Sequence, residues 1–146
     1  YGFTPFTDKE MSDYTNRYIF LLSPHFIKVA KNENDEVIGT VVGIPDFSEG
    51  FKACKGRLWP FGFLKLLTSG RKTKMIVLLL GAIDQRYQGR GIDVYMGIKM
   101  LESAKKQGYK YIDSHLELET NTKVRAEMER MGGVIFKKYR IYQKDL

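Results

Sequence analysis

Cysteine occurs once in these 146 residues, histidine twice and tryptophan once. The lone Cys54 excludes an internal disulfide, and His25 and His115 are too few and too far apart in sequence for a metal site of ordinary ligand spacing. Metal chemistry is therefore not expected. No histidine stands near Cys54 to act as its base, so two readings stay open for that thiol, a nucleophile and an unreactive side chain. No run reaches the roughly 18 to 20 apolar residues a membrane-spanning helix needs, and no leader pattern opens the chain. The expected location is the cytoplasm. An initiating methionine is also lacking, because Tyr1 runs straight into structured-looking sequence, as in a segment of a longer chain.

What is present is a globular composition, 43% apolar and 28% charged with nine Phe and nine Tyr. That is enough chain to bury a core without cross-links, so residues 1–146 are expected to form a single domain. The formal charge of +7 is unevenly spread. Residues 50–74 carry Lys52, Lys55, Arg57, Lys65, Arg71, Lys72 and Lys74 with no acid among them, and the rest sums to zero. Such a segment either attracts an anionic partner (cofactor phosphates, an acidic acceptor, a lipid surface or nucleic acid) or is simply solvated. Nucleic acid is the least favoured of these partners. Within it, Trp59 to Leu67 joins apolar bulk to positive charge, which suits docking on a membrane surface or packing over the core. Nothing in the pattern sets an oligomeric state.

Thr7 and Glu10 have capping-box spacing, and Met11, Tyr14, Tyr18 and Leu22 recur at helical intervals up to Ser23-Pro24. Phe26–Ala30 and Val37–Ile44 are β-rich runs around the polar turn 31–36, a hairpin. Met75–Ile83 is nearly continuous in apolar side chains, the mark of a central strand covered on both faces, and Gly81 within it suggests a bulge or a close backbone approach. From Asp93, the residues Val94, Ile98, Leu101 and Ala104 share one helical face up to Gly108. Tyr109–Glu117 follows as a strand, a short helix capped by Thr120 or Asn121 runs to Gly132-Gly133, and Val134–Tyr142 closes the chain as a strand. The order predicts an α/β (α+β) fold.

The stretch Ile83-Asp84-Gln85-Arg86-Tyr87-Gln88-Gly89-Arg90-Gly91-Ile92-Asp93 is a glycine-bearing turn between the central strand and a helix. The helix start offers unpaired amides and the positive end of its dipole, a ready site for a pyrophosphate, and Arg90 adds charge. It is neither a Rossmann fingerprint nor a Walker loop, and glycine here also suits turn geometry alone.

This turn resembles the cofactor loop of the GNAT superfamily of N-acetyltransferases, Q/R-x-x-G-x-G/A after a strand ending in a valine-like residue. With Gln88 first, Gly91 matches and Asp93 stands where glycine or alanine is usual. Arg86, Gly89 and Gly91 give a second register that matches every letter. The first is preferred, because it puts Ile83 and Tyr87 where the family has them. The element order matches along the whole chain, and LSPHFIKVA, GRLWPFGFLKLL and LELETNTKVRAEMERMGGVIFKKYRIYQK look like the C-terminal domain of a group of larger bacterial proteins.

The resemblance implies a mixed, mostly antiparallel sheet flanked by helices, with two central strands splayed around an acyl-CoA arm, acetyl-CoA being the simplest donor. It implies cofactor binding by Gly81, Ala82, Ile83, Gln88, Gly89, Arg90, Gly91, Ile92 and Asp93. Asn121 either contacts the arm or caps its helix. The implied reaction is direct attack of an amine on the thioester, with a backbone amide stabilising the oxyanion. The acceptor is a small-molecule or peptide amine. Glu117 and Glu119 are the candidate bases. The place where the family often has a tyrosine acid holds Met128, which has no proton to give. Tyr139, Tyr142 or solvent are left for that role, or the domain binds acyl-CoA without turning it over.

Overall fold

The computed structural model describes residues 6–55, 57–114 and 116–144. It packs as two compact units, Tyr1–His115 and Leu116–Leu146.

The first unit opens with helix α1 (Asp8–Tyr18), whose capping box forms as the spacing predicts. The Thr7 side chain accepts from the Glu10 amide, and the Glu10 carboxylate accepts from the Thr7 amide at 2.9 Å. The helix gives way to 3-10 turns at Ile19–Leu21 and Pro24–Phe26 instead of continuing to Ser23. Strand β1 (Ile27–Lys31) then pairs antiparallel with β2 (Val37–Pro45). Their turn is held by Asn32, whose Oδ1 accepts from the amides of Asn34 and Glu36 at 2.9 and 3.0 Å.

Two helices, α2 (Ser48–Cys54) and α3 (Gly62–Lys72), fill the connection to β3 (Met75–Ile83), which pairs antiparallel with β2. Helix α4 (Ile92–Lys106) crosses back to β4 (Tyr111–Asp113), parallel to β3. The sheet order is β1-β2-β3-β4, mixed and mostly antiparallel as expected.

The core of this unit is small and lies between α4 and the sheet. Ile76 and Met100 are 0% and 1% exposed, and they cluster with Phe26 and Ala104. Tyr109 closes the cluster edge-on against Phe26, ring centroids 5.2 Å apart, and its burial pushes the phenol pKa up. Met100 and Ala104 reach inward because residues four apart share a helical face.

Three expectations need correction. β3 is apolar throughout, yet only its first half is covered, since Leu79, Leu80, Gly81 and Ala82 are exposed beyond the end of β4. The strand expected over Tyr109–Glu117 is confined to Tyr111–Asp113. Among its described residues the second unit holds one helix, α5 (Thr122–Arg130), and residues 134–142 form no strand. A ladder needs a partner strand, and among the described residues of that unit there is none.

Candidate functional site

Among the described residues β3 and β4 pair at Met75↔Tyr111, Ile76↔Ile112 and Val77↔Asp113 and no further. From Leu78 to Ile83, β3 runs on with β2 on one side and no strand on the other among the described residues. Alternate main-chain groups along it face away from β2 and lack a ladder partner. The β2–β3 register also slips here, from Val42↔Leu80 to Gly43↔Leu78, so Leu79 is the extra residue of a β-bulge. The sequence pointed to Gly81 for such a feature. The bulge lies two residues earlier, and Gly81 pairs with Val41 in regular register.

Beyond Ile83 the chain turns through a 3-10 segment, Gln85–Tyr87, capped by Asp84, whose Oδ1 accepts from the Arg86 amide at 2.9 Å. The same carboxylate holds the Arg86 guanidinium, Nη2 to Oδ2 at 2.7 Å. These bonds hold the Asp84 pKa down to about 2, the side-chain bond from Arg86 being the larger cause. Gln88 ties the loop back to the strand, its Nε2 donating to the Ile83 carbonyl at 3.2 Å. Tyr87 is pinned from the other side, its hydroxyl accepting from Asn32 Nδ2 at 3.2 Å. Arg90 lies over the Tyr87 ring, 5.2 Å from its centroid, and makes no ion pair among the described residues. Sequence reading missed the Asp84–Arg86 clamp, and it missed Asn32 because a polar residue in a turn carries no mark of a distant partner.

Gly89 and Gly91 have φ of 73° and 78°, the left-handed region, and a Cβ at either would meet nothing within 4 Å. Glycine is needed there for backbone conformation, and the space beside it is open. Gly91 is the N-cap of α4. The first α4 bond runs from the Tyr95 amide to the Gly91 carbonyl at 3.0 Å, so the amides of Ile92, Asp93 and Val94 have no partner within the helix. Asp93 sits in this first turn. The helix is seated by Met96 on Gly39 of β2, where an added Cβ would come within 3.1 Å of Met96 Cε.

Thus Gly81, Ala82, Ile83, Gln88, Gly89, Arg90, Gly91, Ile92 and Asp93 form one continuous strand, loop and helix start in the first unit. In the second, Glu117 and Glu119 precede α5 in non-regular chain, and the strand expected to end at Glu117 stops at Asp113. Asn121 occupies the α5 N-cap but makes no side-chain capping bond. Met128 lies within α5, half-buried, and Tyr139 and Tyr142 are exposed. Cys54 is buried, with its Sγ 3.3 Å from the Phe51 carbonyl oxygen.

AAC(6')-Iy, solved in complex with the bisubstrate analogue CoA-S-monomethyl-acetylneamine, superposes on 99% of this chain and 84% of its own with a TM-score of 0.62 at 13% identity. A putative acetyltransferase from Agrobacterium tumefaciens C58 gives 0.63 over 97% and 84% at 16% identity. This is the GNAT fold. A putative acetyl transferase from Pyrococcus furiosus shares the GNAT fold at 20% identity and a TM-score of 0.55, over all of this chain and 83% of its own. In sequence, protein YghO of Escherichia coli K12 and the bacterial ceramide synthase of Caulobacter vibrioides are each 29% identical over 154 aligned positions. The chain is matched in full and spans 39% of the length of either relative. No protein-family model matches it.

Proposed function

We propose that this chain is an acyl-CoA-dependent N-acyltransferase acting on an amine in the cytoplasm. One observation carries the reading: the β3–β4 ladder stops at Val77 and Asp113, and β3 then runs on, bulged and paired with β2 on one edge only, into a glycine turn whose helix start has free amides. An extended pantetheine arm needs strand-like hydrogen-bond partners, and a pyrophosphate needs clustered donors, so the residues present fit this cofactor. Bound there, it supplies an activated acyl group as its thioester.

The chain's own residues would divide the work as follows. Main-chain groups of Gly81, Ala82 and Ile83 hold and orient the arm. Amides of Gly89, Gly91, Ile92 and Asp93 hold the pyrophosphate, Arg90 neutralises it, and Gln88 keeps the loop braced to the strand. Asn121, whose side chain is not used as a cap, is a further contact. Glu117 or Glu119 takes a proton from the acceptor ammonium so that the neutral amine attacks the thioester, and Tyr139, Tyr142 or solvent gives one to the departing thiolate.

The relative named bacterial ceramide synthase supports an amine acceptor with a long alkyl chain, since a ceramide is the amide of such an amine with a fatty acid. The donor is acetyl-CoA or a longer acyl-CoA. Met128 favours a second reading, a module that binds acyl-CoA without transfer.

Thiol release from acetyl- and palmitoyl-CoA, measured with small amines, a peptide amine and a sphingoid base, tests both. Release that depends on an amine is expected. Cofactor binding without release from any of them would leave the non-catalytic reading, and no binding would remove both.

A further inference from the structure

β2 and β3 are adjacent antiparallel strands, which a turn of about 2 to 5 residues suffices to join. Here residues 46–74 intervene, carrying α2 and α3 as a helical hairpin. The pair completes its own small core. A Cβ on Gly50 would come within 2.9 Å of the Leu66 backbone, one on Gly70 would strike the Phe47 ring, and Cys54 and Leu66 are buried between them. The hairpin tip is left outside. Trp59 is 89% exposed and Phe61 69%, with Leu58 beside them and Leu64, 58% exposed, on the first turn of α3.

Around these apolar groups stand Lys55, Arg57 and Lys65, and none of them makes an ion pair among the described residues. Lys52 is the cation of this hairpin that is paired, with Glu49 at 2.8 Å. Exposed indole and phenyl rings cost free energy in water and are stabilised at the boundary of headgroups and acyl chains, where unpaired cations meet lipid phosphates. A nucleic-acid surface would use the same cations but gives no partner to Leu58 and Leu64.

We infer that the α2–α3 tip docks on an anionic phospholipid surface, inserting Trp59, Phe61 and Leu58 while Lys55, Arg57 and Lys65 engage headgroup phosphates. The inference stands apart from acyl transfer and is tested without acyl-CoA.

Trp59 is the sole tryptophan, so its fluorescence reports the tip directly. The full chain is mixed with phosphatidylcholine vesicles with or without phosphatidylglycerol, and with duplex DNA. On anionic vesicles the emission should shift to the blue, be quenched by brominated acyl chains, and lose both effects at high salt. Each cation near such a surface is worth roughly fivefold in partition. The charge-neutralising variant K55Q/R57Q/K65Q should therefore sediment with anionic vesicles about a hundredfold more weakly. All three side chains are exposed, and an unchanged circular dichroism spectrum confirms its fold. The inference is overturned by an emission unmoved on anionic vesicles, by equal binding to pure phosphatidylcholine, or by binding to DNA without a vesicle response.

Discussion

Gly89 and Gly91 show how a single residue type sets the candidate site. Both hold φ in the region where an L side chain costs roughly 1 to 2 kcal/mol, and neither has a neighbour for a Cβ to strike. Gly91→Ala should therefore lower unfolding stability by about that amount in a denaturant titration and weaken acyl-CoA binding in calorimetry. A variant with normal affinity would show that the loop conformation is not needed. Asp84 makes a second test. Its folded pKa of about 2 lies below its ordinary 3.8, so the stability it contributes is present above 3.8 and is lost as pH falls through about 2. NMR titration of the carboxyl should give that low value, and Arg86→Ala should raise it towards 3.8. The clamp is thus closed at neutral pH. For the carboxylates of the second unit, Glu117→Gln or Glu119→Gln should lower kcat by about 100-fold or more if that residue is the base, with cofactor affinity unchanged. Equal kcat in both variants and wild type would assign the proton to solvent.

At the level of elements, α4 joins stability to function, because it packs the core through Met100 and presents the loop amides at its other end. Met100→Ala should cost about 2 to 5 kcal/mol in chemical denaturation, as buried methionines do when truncated. Local signals made much of this legible beforehand. The Thr7–Glu10 cap, the polar hairpin turn, the glycine loop and the face carrying Ala104 depend on neighbours a few residues away. Pairing does not. The bulge at Leu79, the early stop of β4 at Asp113 and the exposure of Leu80 are settled by register between distant strands, which apolar content alone does not encode. Val134–Tyr142 reads as a strand by its residue types, but among the described residues of its own unit there is no strand to pair with.

Across the whole molecule, charge and chemistry occupy different segments. The excess of cations lies in the α2–α3 connection, while the glycine loop holds two arginines, one clamped by Asp84 and one over Tyr87. The chain spans 39% of the length of either relative. The account rests on acyl-CoA binding along the open edge of β3 beyond Val77 and the turn that follows it. Backbone hydrogen exchange with and without acetyl-CoA addresses this directly. Amides from Leu79 to Val94 should gain protection when the cofactor is present, while those of α2 and α3 stay unchanged. Saturating acetyl-CoA that leaves residues 79–94 exchanging at their unbound rates would contradict it.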